Sequence, residues 1–298
     1  MIINGVMIED TFAEAFGMKA TRLIVTADTS DWAMNAAAAM TGFATSVIAC
    51  GCEAGIEETL PPGKTPDGRP GVAVLIFAMS GNDLAKQVLT RAGQCVMTSP
   101  TSALFAGLES EDRIKLGASL RFFGDGFQIS KVFGGRRYWR IPVMDGEFLC
   151  EEFAYATRAV GGGNILILGR SRAQVLVAAE RAVAAMHKVR GIIMPFPGGV
   201  VRSGSKVGSK YKTLIASSND AYCPTLKGLT KTMLPPDIEA VLEIVIDGLG
   251  QDAVSDAMRA GIEAVCKLGE AGGIARISAG NYGGKLGQFH FHLQKIMS

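Results

Sequence analysis

The hydrophobic and polar positions of this chain follow one order twice. TRLIVTA at Thr21 is a short apolar run, SDWAMNAAAAMTGFA carries apolar residues at helical spacing, and TSVIACG is apolar again. NILILGR at Asn164, AQVLVAAERAVAAMHKV and GIIMPFPGG repeat that order. Short apolar runs bounded by turn signals predict strands, and the 3.6-residue period predicts helices. Each copy continues with a Pro/Gly-rich insertion and a second strand–helix unit. GVAVLIFAMS with NDLAKQVLTRAGQCV in the first is matched by EAVLEIVIDG with QDAVSDAMRAGIEAVCKL in the second. TSALFAGL and GIARISAG close the two copies, and the lead-ins EDTFAEAF at Glu9 and EEFAYATR at Glu151 extend the likeness.

The order β-α-β-β-α-β in each half predicts an α+β fold of two ferredoxin-like lobes. Each would hold a four-stranded antiparallel sheet with two helices on one face. The repeat divides the chain into 1–148 and 149–298. Ser30 with Asp31, Asn82 with Asp83, Ser171, and Gln251 with Asp252 stand where helix N-caps are needed. Between the halves, Phe127, Ile129 and Val132, then Tyr138, Arg140 and Pro142, predict a hairpin turning at GGRR, an added β arm.

Composition narrows the class. No apolar run reaches the roughly 18–20 residues of a membrane span, and MIINGVMIEDTF has no basic start, so neither a membrane protein nor a signal peptide is expected. The expectation is a cytoplasmic protein. A formal net charge of +2 argues against bulk electrostatic binding of nucleic acid. The six cysteines suit reduced thiols, and His187, His290 and His292 offer little for a zinc site, so no metal is expected. Positive mean hydropathy and weakly charged, Ala-rich helices favour a homo-oligomer.

Where the copies differ, the scaffold did not require the difference. The third strand is apolar throughout in the first copy but contains Glu243 in the second, within VLEIVI. A carboxyl among Val, Leu and Ile loses hydration, its pKa rises, and it becomes a candidate proton donor or shuttle. The alternatives are that this face is solvated or that an arginine pairs with Glu243. After the second strand, GCEAGIEE is replaced by PFPGGVVRSGSKVGSKYK. Phe196, Pro197, Gly198 and Gly199 form a chain-turning start. Arg202, Ser203, Gly204, Ser205 and Lys206 suit a cradle for carboxylates or phosphate, or simply a mobile basic surface loop, and no Walker loop is present. The third difference is SAGNYGGKLG, where Asn281, Tyr282, Gly283 and Gly284 offer a polar tip with close backbone approach, or simply a tight turn with a bulge.

Several long strings carry a family resemblance: NGVMIEDTFAEAF at Asn4, TGFATSVI at Thr41, EAGIE at Glu53, TPDGRPG at Thr65, GQCVMTSPT at Gly93, FPGGVVRSGSK at Phe196 and ISAGNYGGKLG at Ile277. They resemble formylmethanofuran:tetrahydromethanopterin formyltransferase from end to end. The resemblance implies formyl transfer between the methanofuran amine and N5 of tetrahydromethanopterin, with no metal or prosthetic group. It implies two ferredoxin-like lobes in a homotetramer, with the site at a subunit contact. Glu243 matches the family's acidic residue at the formyl-transfer centre. Arg202, Lys206 and the glycine-rich loops would receive the anionic tails of the two carriers. Bacterial members serve within a formyltransferase/hydrolase complex, and the near-neutral charge agrees with such a member. A non-catalytic scaffold role in that complex and an acyltransferase using another folate-like carrier are the rival readings.

Overall fold

Two long strands, Phe12–Thr26 and Phe153–Gly169, contain most of each copy's lead-in and run on into their first predicted strands. They organise a mixed α+β fold, described by a computed structural model of all 298 residues. The chain forms two compact units, Met1–Gly17 with Val160–Ser298, and Met18–Ala159. The N-terminal segment therefore packs with the second half of the sequence.

In the Met18–Ala159 unit the strand order is Glu53–Leu60, Gly71–Ala78, the end of Phe12–Thr26, then Ala103–Ala106, all antiparallel. Gly71–Ala78 is buried at every position, as its unbroken apolar run requires. Helices Ser30–Thr41 and Gly81–Arg91 cover one face, and Met40, Leu84 and Val88 meet Leu23, Val25 and Val74 in the core. The expected hairpin is present as Ile129–Phe133 and Arg136–Val143. Gly134 and Gly135, both at positive φ (58° and 79°), make its tight turn. A third strand, Gly146–Glu151, extends it.

Two local expectations fail here. TSVIACG is not a strand. Ser46 accepts a hydrogen bond from the Ile48 N–H at 3.3 Å and Glu53 accepts one from Val47 at 3.1 Å, so Val47–Cys50 coils into one helical turn. The strand is the polar EAGIEETL that follows. The caps also sit earlier than Ser30 and Asn82, at Thr29 and Ser80.

In the other unit the order is Ile192–Ile193, Ala240–Gly248, the end of Phe153–Gly169, then Ile274–Ser278, again antiparallel. Val6–Ile8 adds a parallel strand beyond Ile274–Ser278, and Ile2–Ile3 pairs with it at the edge. Helices Arg172–Met186 and Gln251–Leu268 pack on the face bearing Ile244 and Ile246. Ser171 caps the helix by accepting from the Gln174 N–H at 3.3 Å, and its hydroxyl donates to Gln174 Oε1 at 2.8 Å. Ser171→Ala should cost about 1 kcal/mol in thermal or urea unfolding. Pro195 and Pro197 cut the second strand to two residues, since proline cannot donate to a ladder. A turn at Pro197–Gly199 brings Val201 back against Glu243, and the two residues exchange backbone hydrogen bonds of 2.7 and 2.9 Å. No helix in the chain is long and apolar enough to cross a membrane.

Candidate active site

The face of Ala240–Gly248 turned away from the helices bears Val241, Glu243 and Val245, as strand alternation requires. Helices cannot cover it, because they occupy the opposite face. Leu234, Ile238 and Tyr222, from the long insertion, pack there against Leu166 and Leu168. Glu243 lies directly across the ladder from Leu166. Beside this apolar floor opens a cavity of about 820 Å³, wholly within the unit formed by Met1–Gly17 and Val160–Ser298. Met1, Ile2, Met7 and Met233 give it an exposed apolar rim, and Glu243, Glu9, Ser278 and Tyr222 are among its polar walls.

Glu243 is half-buried and lines the cavity, and desolvation pushes its carboxyl up to about 7. Of the alternatives open from sequence, an arginine partner does not describe it, since desolvation is the one cause of its shift. Arg276 is taken instead by Glu9, at 2.6 Å. Glu9 also accepts from the Ser278 hydroxyl at 2.5 Å, and Ser278 lies 3.3 Å from the Tyr222 hydroxyl. Burial raises the Tyr222 phenol above its ordinary pKa. Tyr282 is raised too, first by burial and then by the charge of Glu243, while a hydrogen bond with Ser205 acts the other way. Both phenols therefore stay protonated donors at neutral pH.

The expected binding residues separate into two groups. Ser205, Lys206, Asn281 and Tyr282 line the cavity together with Glu243. Phe196, Pro197, Gly198, Gly199, Arg202, Ser203, Gly204, Gly283 and Gly284 are not among its walls. The PFPGG run turns the chain so that Val201 can pair with Glu243. Lys206 is ion-paired with Asp220 at 2.6 Å, and this hydrogen bond holds the Asp220 carboxyl below its usual range. His290 and His292 stack on Phe12.

Sequence reasoning missed Glu9, Tyr222, Ser278 and, most of all, Glu14. Glu14 is fully buried and its carboxylate receives four backbone N–H groups of the NYGGKLG turn. The available signal was a lone carboxylate inside FAEAF, where strand alternation leaves it no solvent.

A cavity of about 820 Å³ with apolar and polar walls, beside a carboxyl that burial pushes up to about 7, fits an enzyme acting on sizeable organic substrates. Comparison with known proteins makes the class specific. Residues 1–143 match the model of the formylmethanofuran-tetrahydromethanopterin formyltransferase family, and residues 146–296 match that of its proximal lobe. A formylmethanofuran–tetrahydromethanopterin formyltransferase of Methylococcus capsulatus is 70% identical over 298 residues, covering 100% of both chains. A component of the formyltransferase/hydrolase complex of Methylorubrum extorquens is 55% identical, covering 99% of this chain and 97% of its own. In the crystal structure of that complex with methylofuran, the matching chain superposes with a TM-score of 0.98, covering 100% of this chain and 99% of that one. The Methanosarcina barkeri formyltransferase gives 0.93 at 48% identity, covering 99% and 100%. The chain belongs to the formylmethanofuran-tetrahydromethanopterin formyltransferase family.

Proposed function

We propose that this chain moves a formyl group reversibly between N-formylmethanofuran and N5 of tetrahydromethanopterin, with Glu243 exchanging the protons. N5 bonds to the formyl carbon and the carbonyl oxygen takes up negative charge. The carbon–nitrogen bond to methanofuran then breaks. N5 loses one proton and the departing amine gains one, so the step balances without oxidant or reductant. The observation that carries this reading is the Glu243 carboxyl enclosed in the cavity wall with a pKa of about 7. Such a group gives and takes protons at neutral pH, and its protonated form donates to the oxyanion. Tyr282, protonated on the same wall, is a second donor.

Ser205, Lys206, Asn281 and Tyr282 hold the substrates, with Arg202, Ser203 and Gly204 flanking them to meet anionic tails. Phe196, Pro197, Gly198, Gly199, Gly283 and Gly284 shape these loops. Removing Lys206 should raise one KM roughly tenfold, about 1.4 kcal/mol of binding, and leave kcat largely intact. Steady-state kinetics checks this, and a pure loss of kcat would assign Lys206 to the chemistry.

The same reading makes the two repeats, 1–148 and 149–298, ferredoxin-like lobes. Its support is that in both units the four strands, numbered in chain order, lie in the sheet order 2-3-1-4. It further makes the assembly a cytoplasmic homotetramer in which a neighbouring copy completes the site. The other components of a formyltransferase/hydrolase complex would be its partners, as for the Methylorubrum relative. No prosthetic group enters the reaction as written.

The test incubates the purified, assembled protein with N-formylmethanofuran and tetrahydromethanopterin and follows the pterin absorbance. Transfer to the pterin is expected. No transfer would leave a scaffold role, and transfer to a tetrahydrofolate alone would change the acceptor.

A further inference from the structure

We infer that Glu14 is a positioning residue for the reaction: it holds the 280–287 turn so that Asn281 and Tyr282 form the wall beside Glu243. This rests on the formyl-transfer reading above.

The geometry is specific to a carboxylate. Oε2 accepts from the N–H of Tyr282 at 2.7 Å and of Gly284 at 2.8 Å. Oε1 accepts from Leu286 at 2.6 Å and Gly287 at 2.7 Å. Four donors converge on two oxygens, a backbone nest closed around an internal anion. A protonated carboxyl or an amide would turn a hydrogen toward at least one N–H. The turn is shaped for this contact. Gly284 has φ +71°, and a Cβ at Gly287 would stand 2.3 Å from the Ala15 carbonyl oxygen. Without an anchor, so glycine-rich a segment has a high entropic cost of ordering.

Other ties to the rest of the unit hold the ends of the turn, and within it the Gly283 N–H donates locally to Asn281 Oδ1 at 3.2 Å. Gly280 donates to Asn164 Oδ1 at 2.6 Å, Asn281 to Thr11 Oγ1 at 3.1 Å, and the Gly17 N–H to Gln288 Oε1 at 2.6 Å. Between these, the main-chain position of Tyr282 is set by Glu14. From there its ring lies 6.1 Å from that of Phe16 and its phenol reaches Ser205.

Burial works to raise the Glu14 pKa, but the backbone donors Gly287, Tyr282, Leu286 and Gly284 outweigh it and hold it at about 2, against an ordinary 4.5. A depressed folded value contributes stability that is complete above pH 4.5 and lost as pH falls toward 2. Glu14 is thus a fixed anion at every working pH, distinct from Glu243, which titrates.

The experiment measures kcat and KM for Glu14→Gln, Tyr282→Phe and the double variant in the full chain, with hydrogen exchange of the peptide covering 280–288. Glu14→Gln should lower kcat about 100-fold, the scale of a misplaced catalytic wall, and change KM much less. The amides of Tyr282, Gly284, Leu286 and Gly287 should lose protection while the core strands keep theirs. If Glu14 acts through Tyr282, the double variant loses no more than the larger single loss. Losses that multiply, or a kcat within threefold of the unaltered protein, overturn the inference while leaving the functional reading intact. If the unaltered protein transfers no formyl group, both fall. Should Glu14→Gln fail to fold, Glu14→Asp carries the same cycle. It keeps the charge but withdraws it by one methylene, and a loss of about tenfold is expected.

Discussion

Glu243→Gln is expected to make the protein more stable above pH 7 while cutting kcat about a thousandfold. The two effects share one cause. The carboxyl sits in a wall that favours its neutral form, with a folded pKa of about 7 against 4.5 when exposed. Because the folded value is raised, the unfolded chain releases this proton first. Stability is therefore greatest below pH 4.5, falls as pH rises from 4.5 to 7, and stays reduced above 7. The difference between 4.5 and 7 corresponds to at most about 3 kcal/mol. Glutamine is neutral throughout and escapes the loss. Thermal unfolding at pH 5 and pH 8.5 reads this directly. The variant and the parent should be similar at pH 5, with the variant higher at 8.5. A parent whose stability does not change across that range would show that the carboxyl is not desolvated.

Turnover moves the other way because an amide cannot exchange the proton that N5 releases. General acid–base catalysis is worth about 10²–10⁴. The pH profile of kcat should bend near 7 in the parent, and that bend should vanish in the variant. A near-normal kcat for Glu243→Gln would leave the residue only as a donor to the oxyanion, since an amide N–H still serves there.

How much of this was readable beforehand depends on where each residue's partners lie. The helices and the apolar strand Gly71–Ala78 were legible because their neighbours impose a period or an unbroken run. Glu243 was legible because the other copy of the repeat shows the same strand without it. The strand Glu53–Leu60 was not. Its polar EAGIEETL is explained by a distant cation, since Glu57 takes a bidentate pair from Arg22 with both contacts at 2.6 Å. Glu14 was hidden for a related reason. Its partners are backbone amides at the far end of the chain, and an N–H leaves no mark in the residue type. PFPGG reads less directly. Glycine and proline signal backbone geometry, and the geometry here brings Val201 into pairing with Glu243.

Arg69→Ala is expected to destabilise the Met18–Ala159 unit by about 3 kcal/mol. TPDGRPG has the composition of a mobile binding loop, but Arg69 makes it a clamp. Its Nε reaches Asp67 at 2.9 Å and its Nη1 reaches Asp28 at 2.9 Å and the Thr101 carbonyl at 2.5 Å. Nη2 approaches Thr26 Oγ1 at 3.3 Å. Burial alone would lower the guanidinium pKa, yet the hydrogen bonds to Asp28 and Asp67 more than offset this and raise it. Truncation leaves Asp67 without its cation while that carboxylate is only 14% exposed, and breaking an enclosed pair costs about 3–5 kcal/mol. The Asp28 arm is 61% exposed and contributes under about 1 kcal/mol. Asp28→Ala should therefore be nearly silent where Arg69→Ala is not. Arg69→Lys should recover only part of the loss, because an ammonium group cannot span the same fork of acceptors. Both tryptophans, Trp32 and Trp139, belong to this unit, so urea unfolding followed by tryptophan fluorescence reports on it alone. Equal midpoints for Arg69→Ala and Asp28→Ala would mean that the loop is held by its proline and glycine geometry and not by the arginine.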